Sequence, residues 1–355
     1  MISTRDALRG LLAFLVLPLS LVPLYFAIPK VRSGVAHTGP DRAPLDAPEL
    51  RPSDSQLARW RPLPAIKGAV PVLAYHGVNE DGDHYSVTPR QFAEQMAMLD
   101  RAGFETISIA EYVRFLGGVT VNLPRRPLLI TFDDGRLDSY RGADKILAEH
   151  GFRATMFAIA GFVEERSSFY LTWDELRTMA TSGRWDIQEH AGVGHVNVRY
   201  DAAGHEGPAY AYRQYHPGRG LETFGQYKRR VQHDILWAKR TMSEQLPGFN
   251  PLSFAVPYGS YGQDRTNDAR IPGFMSRFLR RHFQAVFMTD PPEYTTPSTP
   301  RGALGRIELN ENIRTDTLYR WLRDRIPPRR APGGPVAQPA VGGPGVSAGA
   351  GPAPG

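Results

Sequence analysis

Along the middle of the chain, apolar positions recur with two different periods. Short, nearly continuous apolar runs at 70–75, 127–132, 154–160, 185–188, 252–256 and 285–288 have the length and the β-branched or aromatic content of buried strands. Between them, residues 88–102, 138–150, about 222–245 and 276–282 carry apolar residues at helical spacing. Thr88 before Pro89, and Thr172 before Trp173-Asp174-Glu175, supply side chains suited to cap a helix start. Strand and helix in alternation predict parallel βα units, an α/β fold, and most specifically a (β/α) barrel of an incomplete or distorted, seven-stranded type. Residues 192–220 interrupt the alternation with Gly, Tyr and His, and are expected to overhang a functional site.

The two ends have a different character. Residues 10–28 form an uncharged run preceded by Arg5 and Arg9 and followed by Lys30 and Arg32. Its length is close to the ~20 residues of a membrane-crossing helix, which predicts an uncleaved signal anchor over 1–34. Pro18 and Pro23 lie inside it, and Gly34-Val35-Ala36 offers an alternative cleavage point after Ala36. Residues 35–69, rich in Pro, Asp, Arg and Ala, are expected to be a spacer, 70–326 the folded domain, and 327–355 a disordered Gly/Pro/Ala tail.

Composition narrows the chemistry. The absence of cysteine excludes disulfides, thiolate ligands and a cysteine nucleophile. A formal net charge of +6 without a dense basic run gives no case for nucleic acid and suits anionic headgroups or wall polymers.

The strongest local signal is Thr131-Phe132-Asp133-Asp134-Gly135, two adjacent carboxylates at the end of a buried strand. Such a pair is costly to bury without a cation, so a metal ion or an arginine partner is required. His190 and His195 are separated by Ala-Gly-Val-Gly. On a helix this separation would turn the second ring away by about 140°. A glycine-rich loop would instead bring both imidazoles to one ion. Two histidines and one carboxylate with open positions make a common catalytic metal set and leave the other Asp free as a base. His76 ends the first predicted strand, where it could face the mouth of a barrel.

With these features the chain resembles the polysaccharide deacetylases of carbohydrate esterase family 4, and more narrowly their poly-β-1,6-N-acetylglucosamine N-deacetylase subgroup. The matching stretches are Pro71-Val72-Leu73-Ala74-Tyr75-His76, Thr131 to Gly135, Tyr170-Leu171-Thr172-Trp173, His190 with His195, and Val256-Pro257-Tyr258-Gly259. The resemblance implies that Asp133 is the base and that Asp134, His190 and His195 are the metal ligands. It implies that His76 is the general acid and that the Tyr258 backbone N–H holds the oxyanion, with Trp173 and Arg306 as orienting or substrate-binding groups. The five-residue histidine spacing is the form associated with the narrower subgroup. With nitrogen and oxygen ligands, zinc is the leading ion, and cobalt, nickel and iron are compatible. The expected partners are an N-acetylated polysaccharide, the membrane through the N-terminal helix, and synthase or export machinery for the polymer. The expected location is single-pass in the cell membrane, with the domain outside the cytoplasm. Peptidoglycan or chitin deacetylation and non-catalytic glycan binding are the competing expectations.

Overall fold

The computed structural model describes residues 50–80, 83–164, 169–289 and 294–327. The apolar run at 10–28 and nearly all of the Gly/Pro/Ala tail lie outside these residues, so the anchor and the tail are not described. Among the described residues, no helix is long and apolar enough to cross a membrane.

A single turn, α1 (Asp54–Leu57), precedes the domain's strands. Then β1 (Val72–Tyr75) leads to α2 (Pro89–Ala102), β2 (Glu105–Thr106) to α3 (Ile109–Leu116), and β3 (Pro127–Phe132) to α4 (Leu137–Glu149). Next, β4 (Ala154–Ile159) leads to α5 (Ala160–Glu164) and α6 (Trp173–Thr181). β5 (Trp185–Ala191) is followed by two small hairpins, β6 (Asn197–Arg199) with β7 (Glu206–Pro208) and β8 (Tyr215–His216) with β9 (Gly220–Leu221). The chain continues through α7 (Phe224–Gln245), β10 (Ser253–Ala255), α8 (Ile271–His282), β11 (Ala285–Phe287), β12 (Ile307–Glu308) and α9 (Thr315–Asp324).

The main strands form one parallel sheet in the order β11-β10-β5-β4-β3-β1-β12, with β2 added beside the start of β3. The sheet curls into an incomplete barrel. The stretch 301–308 passes between its two ends: Leu304 bridges Phe287 in β11, and Ile307 pairs with Leu73 in β1. Side-chain alternation then separates an interior from an exterior. Val72, Leu129, Phe157, Ala255, Phe287 and Leu304 pack together on one face. Leu128, Ile130 and Phe132 join the cluster under the helices on the other.

Local chemistry explains the element ends. The Thr88 side chain accepts from Gln91 N at 3.1 Å, Pro89 opens α2, and Gly103 ends it in the left-handed region at φ 81°. Thr172 and Glu175 form a reciprocal capping pair at the start of α6.

Several boundaries differ from those read in the sequence. β5 runs on to Ala191, so His190 lies on the strand and not beyond it, because Glu189 and His190 are buried polar residues that look like loop in a hydropathy pattern. α8 begins at Ile271, with Pro272 in its first turn, and α3, β12 and α9 are additional elements. Packing also begins upstream of residue 70. Trp60, Leu63 and Ile66 are 1%, 3% and 5% exposed and belong to the main core cluster. The Trp60 indole N–H donates to Asp316 Oδ1 at 3.0 Å in α9, and Leu63 N donates to Ala102 O at 3.0 Å. Three isolated apolar residues in a Pro- and Arg-rich stretch show no sustained period, yet each fills a place in the core.

Trp60→Ala is therefore expected to cost about 3–5 kcal/mol in urea denaturation, the usual range for deleting a buried large aromatic. A loss below about 1 kcal/mol would place this stretch outside the cooperative fold.

Candidate active site

Strand alternation on β3 puts Leu129, Thr131 and Asp133 on the barrel's interior side, with Asp133 at the mouth. Asp133 is 3% exposed. Its two oxygens accept from Arg306 Nη1 and Nη2, both at 2.7 Å. Arg306 is 1% exposed; it donates from Nη1 to Thr131 Oγ1 at 3.2 Å and from Nε to Met288 O at 3.2 Å. Its guanidinium also lies 5.7 and 5.8 Å from the ring centroids of Phe157 and Phe287. Burial alone would raise the Asp133 carboxyl, but Arg306 and the charge of His190 outweigh it and hold the group below the usual carboxylate range. The arginine partner is thus found at Asp133. Arg306 is buried against Asp133 and so stands away from the exposed surface of the site.

The chain turns sharply after Asp133. Asp134 has φ 74°, one of two non-glycine residues with positive φ among those described, and Gly135 follows at φ 69°. A Cβ on Gly135 would stand 3.2 Å from the Ala158 Cα and Cβ, so glycine serves both the turn and the close approach to β4. The strained conformation at Asp134 aims its carboxylate at His190 and His195.

Asp134 Oδ1 lies 3.3 Å from His190 Nε2 and 3.3 Å from His195 Nε2. The three ligand atoms all fall within 4.8 Å of one another. On its other side, His190 Nδ1 lies 2.8 Å from Ala255 O in β10. A carbonyl can only accept, so Nδ1 carries a proton, and in the neutral form of the ring the Nε2 lone pair faces Asp134. Asp134 Oδ1 is buried without a hydrogen-bond partner. A carboxylate oxygen and two imidazole nitrogens facing one another call for a cation between them, and this N,N,O set fits a divalent metal ion.

Burial opposes ionisation of Asp134, but His195, His190 and His76 together hold it well below the usual carboxylate range. Burial pushes His195 down to about 4, so its ring is neutral at neutral pH and can act as a ligand. Burial also acts to lower His190, yet its bond to Asp134 and the two aspartate charges leave it raised. A proton there competes with a metal ion for the same lone pair.

The remaining expected residues are placed as follows. His76 is half-buried just beyond β1; its ring centroid is 5.5 Å from that of Tyr85, and its Nδ1 has no hydrogen-bond partner. It lies near enough for an imidazolium there to act on Asp133, Asp134 and His195. Tyr258 has φ 57°, is 46% exposed, and lays its ring 4.4 Å from that of His195. Burial and then the Asp134 charge push its phenol up to about 12. Trp173 opens α6 and packs against the main core, with its indole N–H buried and unpartnered.

Two groups with no clear sequence signal also shape the site. Arg136, directly after the acidic motif, is 5% exposed; Nη2 donates to Asp83 Oδ2 at 2.6 Å and Asp138 Oδ2 at 2.5 Å, anchoring the stretch that carries Tyr85. Asp234, in the middle of α7, accepts from the backbone N–H groups of residues 192–194. Beside it Glu189 is fully buried, and burial with the Asp234 charge pushes its carboxyl well above the usual range. The segment 192–220 leaves the site through that turn and docks on α7: Arg230 donates to Ala209 O at 3.0 Å and Tyr212 O at 2.9 Å.

Residues 120–275 match the family described as polysaccharide deacetylase. The poly-β-1,6-N-acetyl-D-glucosamine N-deacetylase of Escherichia coli K12 is 24% identical over 204 residues, which are 53% of this chain and 30% of that protein. The chain therefore matches under a third of that relative's length. Among solved structures, a de-N-acetylase from Aggregatibacter actinomycetemcomitans aligns with a TM-score of 0.62 at 21% identity, over 71% of this chain and 99% of that one. The deacetylase domain of BpsB from Bordetella bronchiseptica aligns with a TM-score of 0.57 at 24% identity, over 69% and 97%.

Proposed function

We propose that this chain, which carries a polysaccharide deacetylase domain, is a metal-dependent hydrolase that removes acetyl groups from an N-acetylglucosamine polymer, most specifically of the poly-β-1,6-linked kind. The observation that carries this is the convergence of Asp134, His190 and His195 beside an Asp133 that Arg306 holds ionised. Support for the linkage comes from the name of the Escherichia coli relative.

Asp134, His190 and His195 would hold the divalent ion, with zinc favoured and cobalt, nickel or iron compatible. When bound, such an ion supplies Lewis acidity, making water easier to deprotonate and drawing off charge that builds on the amide oxygen. The other steps fall to the chain's own residues. Asp133, ionised and fixed in orientation by two hydrogen bonds, takes the proton from the attacking water through a lone pair that Arg306 does not use. Its lowered basicity keeps it unprotonated through neutral pH. The Tyr258 backbone N–H, presented by a left-handed turn, donates to the oxyanion of the tetrahedral intermediate. His76 gives its proton to the leaving amine, and glucosamine and acetate result. The exposed ring of Tyr258 beside His195 offers an apolar face to a sugar.

The proposed setting is the outer side of a membrane: the uncharged run at 10–28 supports the membrane, and the resemblance to deacetylases of exported polymers supports the side. A polymer synthase or export assembly is the proposed neighbour.

The substrate is tested by acetate release from poly-β-1,6-N-acetylglucosamine, chitin oligomers and peptidoglycan under identical metal-loaded conditions. The highest kcat/KM is expected on the β-1,6 polymer. Preference for either other polymer would reassign the substrate, and no release from any of the three would favour a glycan-binding protein.

A further inference from the structure

The three ligand-bearing positions are not held alike. Asp134 lies two residues beyond the end of β3, and His190 lies within β5 with its far nitrogen tied to Ala255 O. His195 stands on a loop, four residues beyond the end of β5, after Gly192-Val193-Gly194. Glycines give such a turn wide conformational freedom, so some other group must fix where the second imidazole points.

That group is on α7. Asp234 is 5% exposed and sits within the 22-residue helix. Its Oδ2 accepts from Gly192 N at 3.1 Å and Gly194 N at 3.2 Å, and its Oδ1 from Val193 N at 2.7 Å. The Tyr210 hydroxyl donates to Oδ2 as well. Three consecutive backbone N–H groups thus close around one carboxylate, an arrangement that binds an anion firmly and loses its partner only at the cost of several unpaired buried donors. The glycines belong to the same device. A Cβ on Gly192 would stand 2.6 Å from Asp234 Oδ1, and one on Gly194 would stand 2.4 Å from the Tyr210 ring and 2.7 Å from Asp234 Oδ2. The loop has no side chains at these places because the carboxylate and the tyrosine occupy the space.

We infer that Asp234 is a positioning residue for the metal site: through the 192–194 turn it holds His195 in line with Asp134 and His190, and so sets the affinity for a divalent cation. The inference rests on the assignment of those three residues as ligands. It adds a residue from a helix that contributes no ligand and touches no reacting atom.

The test uses the full-length, metal-stripped chain titrated with Co²⁺, followed by calorimetry and by the visible spectrum, which reports the ligands around the ion. Asp234→Ala is expected to weaken Co²⁺ binding by about 10–100-fold, the range seen when residues supporting metal ligands are removed, and to alter the spectrum. Asp234→Asn, which keeps one acceptor oxygen, should fall between Ala and wild type, and it carries the comparison alone if the Ala variant does not fold. Tyr227→Phe is the control: it deletes a buried hydrogen bond to Tyr210 O in the same cluster but leaves the carboxylate's bonds in place. It should lower the melting temperature without changing Co²⁺ affinity. Folded Asp234 variants with wild-type affinity and spectrum would overturn the inference while leaving the ligand assignment standing. Absence of Co²⁺ binding by the wild type would overturn both.

Discussion

Asp133→Asn is expected to lower kcat by about 10²–10⁴-fold, the usual contribution of a general base, with the bound divalent ion retained. The amide matches the carboxylate in shape and leaves one oxygen for Arg306, but it no longer accepts a proton at neutral pH. The neighbouring change should fail differently. Asp134→Asn replaces the anionic ligand with a neutral, poorer one, so metal content should fall first and activity with it. Metal content and acetate release on both purified variants separate these outcomes. If Asp133→Asn loses the ion while Asp134→Asn keeps both ion and activity, the two roles are exchanged.

Arg306→Ala should cost about 3–5 kcal/mol of stability near neutral pH, because it leaves a buried aspartate without its counter-ion. The sign of the pH dependence follows from the causes acting on Asp133. In the wild type its carboxyl is held below the usual range, so it contributes stability that is present above the ordinary aspartate value and lost as pH falls through the folded value. Without Arg306, burial dominates and raises the carboxyl, so the penalty is greatest at neutral pH and is relieved as acid neutralises the group. Urea denaturation of metal-stripped protein should therefore show wild type and variant far apart at pH 7 and converging toward pH 4. A constant gap across that interval would mean that the arginine acts by packing alone, through its contacts with Phe157 and Phe287.

How much of this is legible in the sequence depends on whether a residue's role is local. β3 has the bounds read from its apolar run, because all six residues are buried and a glycine-containing turn follows. The acidic pair and both histidines are legible for the same reason, since strand ends and a Gly-rich turn place them within short stretches of chain. β5 is read too short because a barrel mouth buries polar side chains, and burial there no longer coincides with hydrophobicity. The pairing of Arg306 with Asp133 spans 173 residues, and no spacing encodes it. Asp234 is harder still: on a mostly polar helix it is one acid among several charged residues, and only the fold brings three N–H groups to it. Trp60 is misassigned by composition because a single large residue can anchor a segment that has no periodic pattern.

The central claim is that hydrolysis depends on an ion held by Asp134, His190 and His195, and it is tested most directly by chelation and reloading. Full-length protein stripped of metal, with its content verified elementally, is assayed for acetate release from poly-β-1,6-N-acetylglucosamine before and after one equivalent of Zn²⁺ or Co²⁺. The stripped protein should be inactive, and one equivalent should restore turnover in the wild type but not in a His190→Ala, His195→Ala double variant. Undiminished acetate release from the metal-free protein would contradict the mechanism.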